Sequence, residues 1–204
     1  MASAQRSSRR FARTAIGAAF LLGGLAGCSA GDNDGERATS GVEASESRAF
    51  SVYDLDSKWV DQHAAPRMLE SLKGRPQVVA LVYTTCTSVC PMTVAAMQQV
   101  EAKSEGRADF VLFSLDPSHD APEQLAEFAK LHALSTRWTL LTGSESDVRA
   151  LAAVLGVKFQ RVSDTEIVHT NTLTVLDGDG RIVAQFNEVD AADRTIATLR
   201  QFTR

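Results

Sequence analysis

One uninterrupted apolar run constrains the fold of this chain more than any other feature of its sequence. Residues 77–83 read QVVALVY, and Cys86 follows three residues later. A strand that is apolar throughout, without alternation, is typical of the centre of a sheet covered by helices on both faces. Pro91 fits only the first turn of a helix, so a helix is predicted from about Cys90 to Lys103.

The remaining segments predict an α/β fold: a sandwich with a mixed central sheet, flanking helices and a late β-hairpin. In chain order, turn residues and hydrophobic spacing predict a strand or hairpin at 50–60 with its turn at 54–57, a strand at 109–115, a helix with Asp120 as its N-cap, a strand at 138–141, a helix from Ser144 to Gly156, an extended piece at 157–162, strands at 172–176 and 181–186, and a final helix at 190–202. This order resembles the thioredoxin fold.

Residues 1–48 have the composition of an export signal and a tether rather than of a folded domain. Four arginines precede the uncharged apolar stretch 14–26, which is short for a membrane-spanning helix but fits the core of a signal peptide. The stretch ends in Leu25-Ala26-Gly27-Cys28, which resembles the lipobox of bacterial lipoproteins, whose cysteine is lipidated. We expect a signal peptide at 1–27, a lipidated Cys28 with a flexible tether to residue 48, and a folded domain at 49–204.

The charge of the mature chain excludes one class of partner. The sequence has 21 basic and 25 acidic residues, and without residues 1–27 it keeps 17 basic residues and a net charge of −8. No basic cluster follows residue 13, so nucleic-acid binding is set aside. Acyl chains, not attraction to anionic lipid, are expected to hold this acidic domain at the extracytoplasmic face of a bacterial membrane. A partial twin-arginine pattern at residues 8–11 leaves the export route open.

Reactive residues concentrate at the carboxyl end of the first buried strand. With Cys28 assigned to the anchor, Cys86 and Cys90 remain as a pair at a helix start. The positive end of the helix dipole favours thiolates, which attack disulfides and bind metals alike. Residues four apart on a helix have Cβ atoms about 5–6 Å apart, wider than the roughly 3.5–4.5 Å of a relaxed disulfide. The spacing favours a shared ligand, although Cys86 in a loop could still close a disulfide.

Histidines are the second candidate donors at this edge of the sheet. His169 precedes a late strand, which must run antiparallel to its neighbours to bring its start to the edge where Cys86 lies. Two soft thiolates with one imidazole suit copper as Cu(I) or Cu(II). His119, which follows the second buried strand, is the alternative ligand. The other histidines and two methionines are assigned to solvent or packing: His63 is expected in solvent, and His132, Met92 and Met97 in packing contacts.

Three short motifs together resemble the Sco (SenC) family, thioredoxin-like copper chaperones for the dinuclear copper centre of cytochrome c oxidase. They are Cys86-x-x-x-Cys90-Pro91, Ser114-Leu115-Asp116-Pro117 with Asp120, and Val168-His169-Thr170, and the likeness covers roughly residues 49–204. The resemblance implies that Cys86, Cys90 and His169 are the copper ligands and that Asp116 lies close to the site. It departs from the family at Val168, where Asp is frequent, so no carboxylate is assigned to orient the imidazole.

The resemblance implies a copper carrier rather than an enzyme, and we expect it to act as a monomer. Its partner would be the copper-bearing subunit of cytochrome c oxidase or another copper protein, and a redox role of the cysteines can accompany transfer. The alternative is a thiol-disulfide oxidoreductase with Cys86 and Cys90 as its catalytic pair. Thioredoxins place a cis-proline opposite their cysteines, and this sequence has no proline after Pro122. A purely structural disulfide is a third possibility, although such bonds usually join distant segments.

Overall fold

A seven-stranded mixed sheet forms the centre of the folded domain. The computed structural model describes residues 50–187 and 190–202, so the predictions for the signal peptide, Cys28 and the tether lie outside it. The elements are β1 Trp59–Asp61, β2 Pro66–Arg67, β3 Gln77–Val82, α1 Val89–Lys103, β4 Asp109–Ser114, α2 Pro122–Leu131, β5 Trp138–Gly143, α3 Glu145–Val154, β6 Phe159–Arg161, β7 Ile167–His169, β8 Leu173–Leu176, β9 Ile182–Phe186 and α4 Ala191–Phe202. Within these ranges no helix is long and apolar enough to cross a membrane.

The order and direction of the strands confirm the predicted α/β sandwich with its late hairpin. The sheet runs β2-β1-β5-β4-β3-β8-β9, and β6 and β7 form a separate two-stranded ribbon. All six residues of β3 are buried, as the apolar run predicts. β3 is parallel to β4 and antiparallel to β8. The end of β3, the end of β4 and the start of β8 therefore lie at one edge, which we call the cysteine edge.

Helix α1 covers the middle of the sheet and packs against α4. Its inward residues Val94, Met97 and Val100 recur at helical spacing and are fully buried. Aromatic pairs extend this core, with ring centroids 4.8 Å apart for Trp59–Phe113 and 5.0 Å apart for Phe110–Trp138. The cysteine edge is thus built on a rigid, closely packed base.

The predicted strand or hairpin at 50–60 is wrong in its first half. Residues 52–54 form a single turn of 3-10 helix, and β1 begins only at Trp59, where it pairs with β5 and β2. The Ser51 hydroxyl accepts a hydrogen bond from the Tyr53 amide, and the Asp54 side chain accepts one from the Ser51 amide. These local bonds offer the backbone an alternative to a strand ladder.

The N-cap residue predicted for α2 is also wrong. The N-cap residue is Ala121, which makes no side-chain bond to the helix, whereas Asp120 is fully buried and turned towards β3 and β4. Its carboxylate accepts hydrogen bonds from Thr84 and Ser114 instead. The cap of α3 is confirmed, because the Ser144 hydroxyl accepts from the Asp147 amide.

Gly180 provides a test of how tightly the β8–β9 turn is packed. Its φ is +81°, and an added Cβ would overlap the Tyr53 ring and the Ser51 hydroxyl. We expect Gly180→Ala to lower the free energy of unfolding by about 2–4 kcal/mol, since left-handed strain and overpacking add. Urea denaturation measures this loss.

Gly156→Ala is the matched control for that substitution. Gly156 also has a positive φ, +65°, but no atom lies within 4 Å of the added Cβ. Only the left-handed strain applies there, so we expect a loss of about 1 kcal/mol. Equal losses for the two variants would contradict the tight packing of Gly180 on Tyr53.

Candidate metal centre

The two cysteines occupy unequal positions at the end of β3. Cys86 is half-buried in the turn before α1, and Cys90 is completely buried in the first turn of that helix. Both are free thiols. The Cys90 amide donates to the Cys86 sulfur at 3.4 Å, so the open end of the helix points at Cys86. Cys86 is therefore the sulfur that an approaching molecule meets.

This arrangement separates the acidities of the two thiols. Burial alone would raise the pKa of Cys86, but hydrogen bonds from the Cys90 amide, the Cys90 thiol, the Ser88 backbone and the Tyr83 hydroxyl lower it to about 7. Burial raises the pKa of Cys90, and the negative charges of Cys86 and Asp120 raise it further. The predicted preference for thiolate is thus confirmed for Cys86 and wrong for Cys90, because burial outweighs the helix dipole.

His169 lies at the end of β7 with one ring nitrogen available. Its Nδ1 is 3.1 Å from the Thr170 carbonyl oxygen, which can only accept, so Nδ1 carries the proton and Nε2 keeps its lone pair. Burial lowers the pKa of His169, which keeps the ring neutral at neutral pH. A neutral imidazole is the form that binds metal ions.

Tyr83 connects the histidine to the cysteines. Its ring meets that of His169 edge to face, with centroids 6.1 Å apart. Its hydroxyl accepts a hydrogen bond from the Ile167 amide at 3.4 Å and donates to Cys86. Among residues 50–187 and 190–202, no three His, Cys, Asp or Glu side chains stand close enough to hold a metal ion together. A three-ligand site therefore requires His169 to approach Cys86 and Cys90.

Asp116 lies at the cysteine edge but bonds to other partners than the predicted ligands. Its carboxylate accepts from the Arg161 guanidinium at 2.5 Å, the Ser118 hydroxyl at 2.6 Å and His119 Nδ1 at 2.8 Å. Burial opposes ionisation, but these bonds hold the pKa of Asp116 below its ordinary value. This contact engages one ring nitrogen of His119, the alternative ligand. Within the described residues, His119 is bonded to Asp116 and makes no contact with the cysteines.

Asp120 is the site residue whose role the sequence analysis missed. Both of its carboxylate oxygens lie 3.2 Å from the Thr84 amide, and it also accepts from the Thr84 and Ser114 hydroxyls at 2.5 Å. Burial raises the pKa of Asp120 despite these bonds. The carboxylate fixes the chain two residues before Cys86 and acts electrostatically on Cys90. A buried Asp beside two polar strand ends has no local sequence signal.

The other predicted positions divide into three confirmed and one wrong. Met97 is buried, His63 is exposed, and the His132 ring packs on Phe128 with centroids 4.3 Å apart. Met92 is 70% exposed, so the packing role predicted for it is wrong. It lies between buried Cys90 and Thr93 on the outward face of the first turn of α1, and it lines a groove with Asn171 and Leu173.

Two unequally acidic thiols and a neutral imidazole at one edge of an α/β sandwich define a thiol-containing class of domain whose donor types suit a soft metal ion. The chain belongs to the SCO1/SenC family, whose model matches residues 47–204. The Bacillus subtilis SCO1 protein homolog is 30% identical over 129 residues, which cover 60% of this chain and 67% of that protein.

Three solved structures share the fold. The SCO1/SenC family lipoprotein of Bacillus anthracis has a TM-score of 0.68 and 23% identity, covering 74% of this chain and 95% of its own. Copper-bound ScoI of Bradyrhizobium japonicum has a TM-score of 0.62 and 22% identity, covering 72% and 96%. BsSco, described as a Sco-family cytochrome c oxidase assembly protein with a disulfide switch, has a TM-score of 0.64 and 26% identity, covering 75% and 93%. The predicted thioredoxin-like fold is confirmed.

The difference in acidity between the thiols predicts which cysteine reacts first. In the reduced, metal-free protein, Cys86 should be alkylated by iodoacetamide with a midpoint near pH 7, since its pKa is lowered to about 7. Cys90 should remain largely unmodified through pH 9, because its pKa is raised and its side chain is buried. Peptide mass mapping across pH 5–9 measures both rates. Faster modification of Cys90 than of Cys86 at pH 7 would contradict the assignment.

Proposed function

We propose that this chain is a membrane-anchored extracytoplasmic protein that binds copper and delivers it to a copper protein. The observation that carries the proposal is the half-buried, acidic Cys86 beside Cys90, at the same edge as neutral His169. Soft sulfur donors with imidazole are the set that copper prefers among the common metals. Copper is the cargo in this proposal, not a permanent part of the protein.

Each of the three side chains contributes a different property to copper binding. Cys86 offers a thiolate near neutral pH, and Cys90 loses its proton when the metal binds, since the thiolate is the ligand form. His169 offers Nε2 without losing a proton. The two sulfurs suit Cu(I), and the imidazole extends the site to Cu(II). Accessible Cys86 is the sulfur best placed to exchange copper with a partner.

The partner that we propose is the copper-bearing subunit of cytochrome c oxidase. Family membership and the likeness to BsSco, a member of a family of oxidase assembly proteins, support this assignment. Delivery to another copper protein is compatible with the same site chemistry. We propose that a single copy of the chain performs the transfer, because all three donors belong to one domain.

Cys28 is the proposed point of membrane attachment. The lipobox Leu25–Cys28 supports it, and one relative of the same fold is a lipoprotein. The family match begins at residue 47, which supports a signal peptide at 1–27, a tether at 28–48 and a folded domain at 49–204. The acidic domain would then stand on the extracytoplasmic side.

A thiol-disulfide oxidoreductase is the second candidate. The favouring observation is the pairing of an accessible thiol of lowered pKa with a buried one, which is suited to thiol exchange. The segment before β8, residues 170–172, reads Thr-Asn-Thr and lacks the proline of thioredoxins. Reduction of a partner's cysteines before copper transfer would combine both activities.

Copper titration of the reduced protein tests the ligand set. We expect one copper per chain and an intense sulfur-to-copper charge-transfer band with Cu(II), which Cys86→Ser or Cys90→Ser abolishes. His169→Ala should weaken Cu(II) binding more than Cu(I) binding, because two thiolates alone still suit the softer ion. His119→Ala is the control and should leave both affinities unchanged. The reverse pattern for the two histidines would show that the ligand is misassigned.

A deletion strain separates copper delivery from disulfide reduction. We expect loss of oxidase activity at limiting copper and recovery when copper is added in excess, since mass action fills a site that is not supplied. Insulin reduction by the purified protein should be far slower than by thioredoxin at equal concentration. If a reducing agent restores oxidase activity and added copper does not, the chain acts as a thiol-disulfide oxidoreductase and not as a copper donor.

Membrane attachment is tested at Cys28. We expect the mature protein to begin at this residue, carry acyl chains and sediment with membranes, whereas Cys28→Ser stays unprocessed or is found elsewhere. Intact mass spectrometry and fractionation measure this, and Cys86→Ser is the control for loss of an unrelated cysteine. A mature mass without lipid would remove the anchor from the proposal.

A further inference from the structure

The histidine lies on a ribbon that is separate from the main sheet. In the part of the chain that the structure describes, strands β6 and β7 pair only with each other, with Phe159 opposite His169 and Arg161 opposite Ile167. Side chains alternate between the faces of a strand, so Arg161 and His169 lie on the same face of the ribbon. Ile167, on this same face, is buried, whereas Val168, on the other face, is exposed. The face that carries Arg161 and His169 is therefore the inner one.

One ion pair ties this ribbon to the end of β4. Arg161 donates from one guanidinium nitrogen to Asp116 Oδ1 at 2.5 Å and from the other to Oδ2 at 3.3 Å. The Asp116 side chain is 1% exposed, whereas that of Arg161 is 38% exposed. A two-point contact fixes direction as well as distance, and breaking it leaves a buried carboxylate without its strongest partner.

Apolar packing holds the ribbon at Ile167, which is 4% exposed and part of the core. Towards α3 the packing is looser, because a cavity of about 290 Å³ lies there, with Phe159, Arg161 and Ile167 on its ribbon side. The inner face also makes a 3.4 Å bond from the Ile167 amide to Tyr83, and Arg149 of α3 lies over the Phe159 ring at 5.9 Å. The Arg161–Asp116 pair is the charged contact between the ribbon and the end of β4, and its two-point geometry orients the ribbon there.

We propose that Arg161, acting through buried Asp116, is a positioning residue for His169. By holding the ribbon at one end, it sets the distance that the imidazole must travel to join Cys86 and Cys90 around copper. This inference rests on the proposed function, in which His169 is a ligand. In this inference Asp116 acts on the imidazole indirectly, through Arg161 and the ribbon. The position next to the histidine, Val168, carries no carboxylate that could orient the imidazole directly.

The test measures Cu(II) affinity of the reduced full chain for Arg161→Ala, Arg161→Lys and Arg67→Ala. Arg67 also pairs with a buried aspartate, Asp61 at 2.7 Å, but it lies on β2 and not on the ribbon, so it is the matched control. We expect Arg161→Ala to weaken Cu(II) binding by about tenfold, the low end for loss of a residue that orients a ligand. Arg161→Lys should restore part of the affinity, and Arg67→Ala should leave the affinity unchanged.

Two further readouts distinguish positioning from general destabilisation. Electron paramagnetic resonance of the Cu(II) form should show weaker nitrogen coupling in Arg161→Ala, and nuclear magnetic resonance of the metal-free form should show a shifted His169 ring. In a His169→Ala background, Arg161→Ala should have no additional effect on Cu(II) affinity, because the ligand that it positions is absent.

The outcomes separate this inference from the proposed function. If Arg161→Ala weakens binding equally with and without His169, or no more than Arg67→Ala does, Arg161 does not position the histidine and the inference is wrong. If His169→Ala itself leaves Cu(II) affinity unchanged, the ligand assignment fails and the inference fails with it. A urea denaturation curve for each variant shows that the folded form is the one being titrated.

Discussion

The site depends on β3 having one parallel and one antiparallel neighbour. Strand β3 pairs in parallel with β4, so the segment that follows β4 emerges beside Cys86. Strand β3 pairs antiparallel with β8 over residues 77–79, so the segment that precedes β8 reaches the same edge. Reversing either strand would send Asp116 or His169 to the opposite end of the sheet. Hydrogen-bonded pairing thus brings together residues that are about 80 positions apart in the chain.

Local patterns in the sequence predict much of this fold. The run 77–83, the proline at the start of α1 and the turn between β8 and β9 all act within a few residues. The strand, the helix and the hairpin that these three patterns predict are all present. The error at residues 52–54 comes from local side-chain bonds, whereas the error at the start of α2 arises because distant partners decide the conformation. Asp120 has the sequence signature of a helix cap, but half-buried Thr84 and buried Ser114 provide three donors that a solvent-exposed cap would leave without a charged acceptor.

The residue types of the site are predictable, but their electrostatic environment is not. The spacing of Cys86 and Cys90 indicates a thiol pair at a helix start, yet the sequence treats the two sulfurs alike. Their opposite pKa shifts depend on how deeply the first turn of α1 is buried and on the charge of Asp120 close to Cys90. The separation of His169 from the cysteines is likewise a property of a ribbon held by Arg161, a residue with no motif of its own.

The first described residues are fastened to the end of the sheet opposite the cysteines. The Ser51 hydroxyl donates to the Asp179 carbonyl at 2.6 Å, and the Val52 amide donates to that of Gly180 at 2.9 Å. This turn follows Leu176, the partner of Gln77 at the beginning of β3. A pull on the chain ahead of residue 50 would therefore be borne by the β8–β9 turn. Residue 50 and Cys86 therefore lie at opposite ends of the sheet, so a chain held at residue 50 would present Cys86 at the far end of the folded domain.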